Sequence, residues 1–382
     1  MIKISDSLKM QKFFILVAVT MVTLVSCTKL EDTAPPRKIT FETAAYRPQT
    51  KAGEVTIMNE FQNFNCMAFL HAAGYETETQ NFFGDDGEII YAYDGDNSIV
   101  TTTGSVAYWA PSHDYYWPKA QSSYINFVAW YDENGDAPET ISEEELIWEN
   151  YTVAYNDNLL YADEAWRFNG NPNSIYHLDG EENNGQAYKA VPILFHHALA
   201  KLCFKVAVTK TSQENLTGGR DKGNTTWDVT VSNISLAGVY DTGTLALTNS
   251  DPDPNSATTR AWTGSWNTNG QTKKSIDMTA VTTPLTTTPV DVLEMQSVLP
   301  QAVTSDMILS FDYNIVTKFN NVEYSHEIVH ADIALSSFSG TISNWEMNKK
   351  ITYTINIIPE TSLVRIDPAM VDWMTGGGSA SH

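Results

Sequence analysis

After residue 38 the chain alternates apolar and polar side chains with a period of two, over short stretches separated by Gly, Asn and Asp clusters. Ile39-Thr40-Phe41-Glu42-Thr43 is the first such stretch and predicts a half-buried strand. Glu88–Tyr93, Ser98–Thr102, Tyr124–Trp130 and Leu159–Trp166 continue the pattern. A second series opens near Val191: Leu202, Phe204, Val206 and Val208 point one way, and Lys201, Cys203 and Lys205 the other. Further strands are predicted over Thr226–Tyr240, Thr244–Leu247, Asp306–Val316, Val322–Leu335 and Lys350–Ile358. Helical signal is thin. Ser142-Glu143-Glu144-Glu145 fits a capping box and predicts one short helix over 142–149. The pattern is that of an all-β protein, a sandwich or a barrel. The polar stretch Asp179–Gly185 divides it, placing one domain at 52–188 and another at 189–375, with a flexible Gly-Ser tail at 376–382.

The first segment breaks the alternation. Lys3, Lys9 and Lys12 precede a thirteen-residue apolar run, Phe13–Val25. As a helix this run is about 20 Å long, short of the roughly 30 Å hydrocarbon core, so it reads as the apolar part of a signal peptide, residues 1–26. It ends Leu24-Val25-Ser26-Cys27, which resembles the lipobox of bacterial lipoproteins. That resemblance implies acylation of Cys27, with palmitate among the chains, and export to the outer membrane on a lipid anchor. Residues 28–38 then read as a polar, proline-containing tether.

Composition narrows the function. The chain has 382 residues, 23 basic against 46 acidic, a net charge of −23. Phosphate binding needs a basic stripe, so no nucleic-acid partner is expected. Without residues 1–26 the counts become 20 and 45, or −25, and any self-assembly must overcome that repulsion. Beyond Cys27 the cysteines are Cys66 and Cys203, which either pair or sit apart as small buried hydrophobes; the second reading is favoured. Adjacent His196 and His197 face opposite sides of a strand and cannot chelate one metal together. The Asp85-Asp86-Gly87-Glu88 and Asp94-Gly95-Asp96-Asn97 stretches lack the full calcium-loop pattern and read as turns. Tyr115-Tyr116-Trp117 reads as a core plug rather than a sugar platform. No phosphate-cradling loop, nucleophile elbow or zinc-protease motif occurs, so neither an enzyme nor a cofactor is expected.

Several segments resemble one family in order along the chain. Tyr115-Tyr116-Trp117-Pro118 followed by Ile125–Tyr131, then Phe195-His196-His197-Ala198-Leu199-Ala200-Lys201-Leu202, are similar to segments of the fimbrillins of Bacteroidales-type pili. Leu299-Pro300-Gln301, Trp345 with Ile351–Ile358, and Ile366-Asp367-Pro368 with Val371-Asp372-Trp373 resemble that family's C-terminal half. The resemblance implies two transthyretin-like β-sandwich domains and a structural pilus subunit supporting adhesion, carried to the surface as a lipoprotein. It further implies that an N-terminal edge strand, here Ile39–Ala45 with Ile39, Phe41 and Thr43, is removed by a trypsin-like protease. The vacated groove then takes a strand from another copy or a related subunit. The matching cleavage position is Lys51-Ala52; Arg47, which precedes a proline, and Arg37, which precedes the strand, fit it less well. Candidate donor residues lie in 363–373, with Ile366, Val371 and Trp373 as apolar anchors. The competing expectation is a monomeric surface lipoprotein that binds host glycans or host protein through its acidic, aromatic loops.

Overall fold

Period-two alternation yields strands almost throughout the computed structural model, which describes residues 38–45, 61–72, 79–101, 106–120, 123–168, 190–215, 223–249, 259–338 and 342–373. The first ten strands are β1 (Phe41–Ala45), β2 (Asn63–His71), β3 (Thr79–Asn81), β4 (Glu88–Tyr93), β5 (Tyr108–Pro111), β6 (Tyr124–Asp132), β7 (Thr140–Ile141), β8 (Glu145–Thr152), β9 (Leu159–Ala162) and β10 (Glu164–Phe168). Next come β11 (Val191–His197), β12 (Ala200–Val208), β13 (Ser212–Asn215), β14 (Gly223–Tyr240), β15 (Thr242–Asn249), β16 (Thr259–Arg260), β17 (Trp262–Asn267) and β18 (Lys273–Asp277). The last are β19 (Val290–Val298), β20 (Gln301–Ala302), β21 (Ile308–Phe319), β22 (Val322–Ala334), β23 (Asn344–Trp345), β24 (Lys349–Ile358) and β25 (Leu363–Asp372). Among the described residues helix is confined to one 3₁₀ turn, Leu335–Ser337.

The first half is a closed sheet, not the expected two-layer sandwich. Its strands run β6-β9-β11-β1-β5-β4-β2, and β2 pairs back onto β6 from Asn65↔Trp130 to His71↔Tyr124. Seven strands therefore form a barrel-like ring, with β10 and β16 continuing beyond β6 and β3 beyond β2. The reason lies in β6, whose sequence Tyr-Ile-Asn-Phe-Val-Ala-Trp-Tyr-Asp is buried along almost its whole length. Such a strand must be paired on both edges and covered on both faces. Inward, Ile125, Phe127 and Ala129 join Phe41, Phe64, Trp109 and Phe195 in one core, and a ring of this size is filled by side chains alone. Outward, Val128 and Trp130 pack under a second sheet, β17-β15-β8-β7, through Leu146, Trp148, Leu245, Leu247 and Trp262.

That covering sheet corrects two expectations. Residues 142–149 are not helical: Ser142 Oγ accepts the Glu144 and Glu145 amides, at 3.1 and 2.9 Å, as a capping serine would. However, buried Leu146 and Trp148 alternate with exposed Glu145, half-buried Ile147 and exposed Glu149, and the chain leaves the turn as β8. The boundary expected near 180–190 does not separate the sheets either. β15 and β17 come from the second half of the sequence, yet β15 pairs with β8 and β16 pairs with β10. Lys38–His382 forms one compact unit.

The rest of the second half is a two-layer sandwich. One layer is β19-β12-β24-β25 and the other β13-β14-β21-β22, with β18 added to β14. Leu202, Phe204 and Val206 of β12 meet Val229, Phe311 and Ile315 across the interior. β14 runs eighteen residues, bent by a bulge between Ser232 and Ser235 where Asn233 adopts φ 53°. Cys66 and Cys203 are buried and unpaired.

Candidate functional site

The strand that the family resemblance implies to be removable is a stave of the ring between β11 and β5, and this overturns its placement at an edge. β1 runs parallel to β11 through five register pairs, Phe41↔Val191 to Ala45↔Phe195. On its other side contact is thinner: Phe41↔Trp109 is the one ladder pair with β5, supplemented by Lys38↔Tyr116 and by the Ile39 amide donating to Tyr115 O at 2.9 Å. Alternation does the rest. Ile39 and Phe41 are 2% and 0% exposed and Thr43 is buried, while Glu42 faces solvent. The Phe41 ring meets Phe127 and Phe64 edge-on, centroids 5.2 and 6.1 Å apart. The Thr43 hydroxyl is buried with no hydrogen-bond partner among the described residues. Outside the ring, Lys38 pairs with Asp114 at 2.6 Å. The contact raises the lysine pKa and lowers that of the carboxylate, but both groups are exposed and the pair adds little stability.

The residues expected to be lipidated or cut, Cys27, Arg37, Arg47, Lys51 and Ala52, lie outside the described residues. So do the signal peptide, the tether up to Arg37 and the tail beyond Trp373.

The expected donor segment is seated in its own chain. β25 is the outer strand of its layer and pairs antiparallel with β24 from Ile358↔Leu363 to Lys349↔Asp372. Its three expected anchors have separate fates. Ile366 belongs to the sandwich core, Val371 is 60% exposed, and Trp373 is buried in the cluster beneath the covering sheet. Trp373 stacks on His197, centroids 3.7 Å apart, with Lys201 Nζ 4.6 Å from the indole centre. Its amide donates to Asn348 O at 2.8 Å, and beside it Lys349 pairs with Asp372 at 2.5 Å. One strand therefore serves both features: β11 supports β1 along Val191–Phe195 and Trp373 two residues later.

His197 and Lys201 stand in the sequence beside Phe195 without any signal linking them to Trp373; only the fold brings them to it. His196 and His197 do face opposite ways. His196 meets Asp163 at 2.8 Å, whereas His197 Nδ1 donates to Asn158 Oδ1 at 3.0 Å. The acidic loops act as turns, since Asp94 Oδ1 accepts the amides of Asp96 and Ser98, both at 2.9 Å. No group of three or more His, Cys, Asp or Glu side chains is arranged to hold a metal among the described residues. Trp117 is buried and Tyr115 packs against the ring core, leaving Tyr116 as the exposed member of that trio.

No curated protein sequence matches the chain. Among solved structures it is similar to a fimbrial protein from Bacteroides vulgatus ATCC 8482, with 14% identity, coverage of 88% of this chain and 100% of that one, and a TM-score of 0.44. It is also similar to the fimbrial anchor protein Mfa2 from Porphyromonas gingivalis, with 10% identity, coverage of 89% and 99%, and a TM-score of 0.26. The family model described as fimbrillin-like matches residues 50–373, most of the chain that has just been described, and the protein belongs to that family.

Proposed function

We propose that this chain is a structural subunit of a cell-surface pilus, exported as a lipoprotein on Cys27, trimmed after Lys51 and polymerised by exchange of β1 for a strand of another subunit. Family membership supports the pilus role. The observation that carries the exchange is the position of Phe41, wholly buried at the centre of a ring to which β1 contributes one five-residue stave ahead of the Lys51-Ala52 bond. Burial of Ile39 and Phe41 is worth about 1.5–3 kcal/mol each, and each ladder hydrogen bond adds about 0.5–1.5 kcal/mol net. Loss of β1 forfeits those contributions and leaves two facing strand edges, β11 and β5, with unpaired backbone groups. A strand from a second subunit restores both.

Trimming after Lys51 leaves 15 basic and 42 acidic residues, a charge of −27. In physiological salt repulsion between such bodies is screened beyond about 8 Å, so contacts made inside the ring prevail. The lipid anchor holds the untrimmed subunit at the outer membrane and the trimmed one joins the surface fimbrium.

Mass spectrometry of the N-terminus in cell-bound and shed material tests this reading. Two populations are expected, one beginning at acylated Cys27 and one at Ala52, and Lys51→Gln should abolish the second together with the polymers. A single population that always retains residues 39–51 would instead leave a monomeric surface lipoprotein, with host glycan or host protein as its partner.

A further inference from the structure

β19 is the outer strand of one sandwich layer, and β18 hangs on β14 at the margin of the other. Where these two strands run past the loop that joins β8 to β9, a cleft of about 570 Å³ opens between them. Buried Val239 and Val298, with half-buried Val153 and Ile276, give it an apolar floor. The exposed ring of Tyr155 stands at its margin. Asp241, Lys274 and Gln296 bring a carboxylate, an ammonium and a carboxamide to the same opening. We propose that this cleft binds a neutral pyranose, the terminal sugar of a glycan, with its C–H face on Tyr155 and its hydroxyls toward Asp241, Gln296 and the edge of β18.

The groups are set in place before any ligand arrives. The Tyr155 hydroxyl donates to Glu294 Oε2 at 3.2 Å, and the Tyr155 carbonyl accepts the Ser297 amide at 2.9 Å. Beside it the Ala154 amide donates to Asp157 Oδ2 at 2.5 Å. The ring is thus fixed yet 47% exposed, a flat apolar surface against which the C–H face of a pyranose can pack. The half-buried Gln296 carboxamide makes no hydrogen bond within the described residues, and sugar hydroxyls supply both a donor and an acceptor to it. Asp241 and Lys274 meet at 3.4 Å, a loose pair that keeps hydrogen-bonding capacity for a guest. The edge of β18 adds backbone groups. The Met278 amide donates to Ile234 O at 2.9 Å, so alternation along the ladder turns the N–H and C=O of Ser275 away from β14 and toward the cleft.

The donor set selects the class of guest. A wholly apolar molecule would strand the Gln296 carboxamide and the Asp241 carboxylate away from water. An anionic sugar would meet Asp241, and Glu294 behind Tyr155, against the single ammonium of Lys274, in a chain of net charge −23. A neutral pyranose meets every demand. Its C–H face covers the apolar floor, while its hydroxyls donate to the carboxylate and accept from the ammonium and the Ser275 amide. No residue lining the cleft belongs to β1, β5 or β11, so the site is complete in one chain and does not rest on strand exchange. Repetition of a weak site along a filament would multiply its hold on a glycan-coated surface.

Saturation-transfer NMR on the full, untrimmed chain tests the site. The neutral probes are the methyl pyranosides of glucose, galactose, mannose and N-acetylglucosamine, and the anionic probe is N-acetylneuraminic acid. At least one neutral probe should bind with a Kd on the order of 1 mM, as suits a ligand of about a dozen heavy atoms. Tyr155→Ala should weaken that binding about tenfold, while Tyr155→Phe, which keeps the ring, should stay within about threefold of the parent. Gln296→Leu keeps the side chain's size without its hydrogen bonds and should also weaken binding about tenfold. Urea midpoints matching the parent's are expected, because Tyr155 is exposed and Gln296 half-buried, and they show that the variants are folded. Three results overturn the inference: no neutral probe binds, only N-acetylneuraminic acid binds, or binding is the same in Tyr155→Ala as in the parent. The chain used is uncut, so a failure here leaves the strand-exchange reading standing, and a failure of exchange leaves this site standing.

Discussion

The indole of Trp373 lies 7° from parallel on the imidazole of His197, with centroids 3.7 Å apart. A neutral imidazole suits this stack. Burial holds His197 well below its ordinary pKa, and the charges of Lys201, Lys350 and His196 push the same way. With the folded pKa depressed, the unfolded chain takes up the proton first. Stability is therefore full above the ordinary histidine range and is lost as pH falls through it. Denaturant midpoints should drop from neutral pH toward pH 5, with faster hydrogen exchange at the Trp373 amide. His197→Gln should flatten the part of that drop which belongs to this site. If the two proteins keep identical pH profiles, His197 does not govern the seat of Trp373.

Phe41 and Val371 make an opposed pair of predictions in the untrimmed chain. Phe41→Ala removes a fully buried ring that meets Phe64 and Phe127, and should cost about 3–5 kcal/mol, read as a lower denaturant midpoint at unchanged slope. Val371→Ser alters an exposed side chain and should stay within about 0.5 kcal/mol of the parent. Stability that barely responds to Phe41→Ala would mean that β1 is not a stave of the folded ring.

Asp132 supplies a second pH signal of opposite sign. It accepts from the Tyr151 hydroxyl at 2.7 Å and from the Asn134 and Asp136 amides at 2.6 and 3.3 Å, yet burial outweighs these bonds and raises its pKa. Tyr151 is driven upward too, first by burial and then by its bond to Asp132. A carboxyl with a raised folded pKa contributes its stability below the ordinary value of 3.8, and that contribution is lost as pH rises through the raised one. Asp132→Asn keeps an acceptor for both amides and cannot ionise. Its stability should therefore lack the decline above pH 3.8 that the parent shows in urea titrations.

Most of the architecture was legible because alternation at period two survives wherever one face is wet. β4 coincides with the segment expected from Glu88 to Tyr93, and Leu202, Phe204 and Val206 point inward as expected. Closure of the ring was not legible, because it depends on which edges meet. β6 is apolar on both faces, a signature that a sandwich core and a ring stave share. The capping box at Ser142 misled for a related reason: the same hydroxyl-to-amide bonds start a helix or close a hairpin, and the alternation of Leu146 and Trp148 decides between them. At the candidate site, β1 was visible through Ile39 and Phe41. The seat of Trp373 was not, since His197 lies 176 positions earlier and nothing local to either residue names the other.

The last prediction concerns how the covering sheet is fastened to the ring. Two indoles of β17 reach distant backbone carbonyls: Trp262 Nε1 donates to Ala162 O at the end of β9 at 2.9 Å, and Trp266 Nε1 donates to Ala198 O in the connection between β11 and β12 at 2.7 Å. Trp262 is buried in the cluster that also holds Trp148 and Trp373, so its ring packs while its N–H fastens. Trp262→Phe keeps an aromatic ring in the pocket and removes the donor, which should cost about 1–3 kcal/mol where a carbonyl is left unpaired. Trp262→Ala adds a cavity and should cost about 3–5 kcal/mol. The loss should also be local. Hydrogen exchange should accelerate along β8, β15 and β17, while β14 and β21 of the sandwich keep their protection. Uniform acceleration across both regions would mean that the covering sheet and the sandwich unfold as one cooperative unit, and that the interleaving of the two halves of the sequence couples them completely.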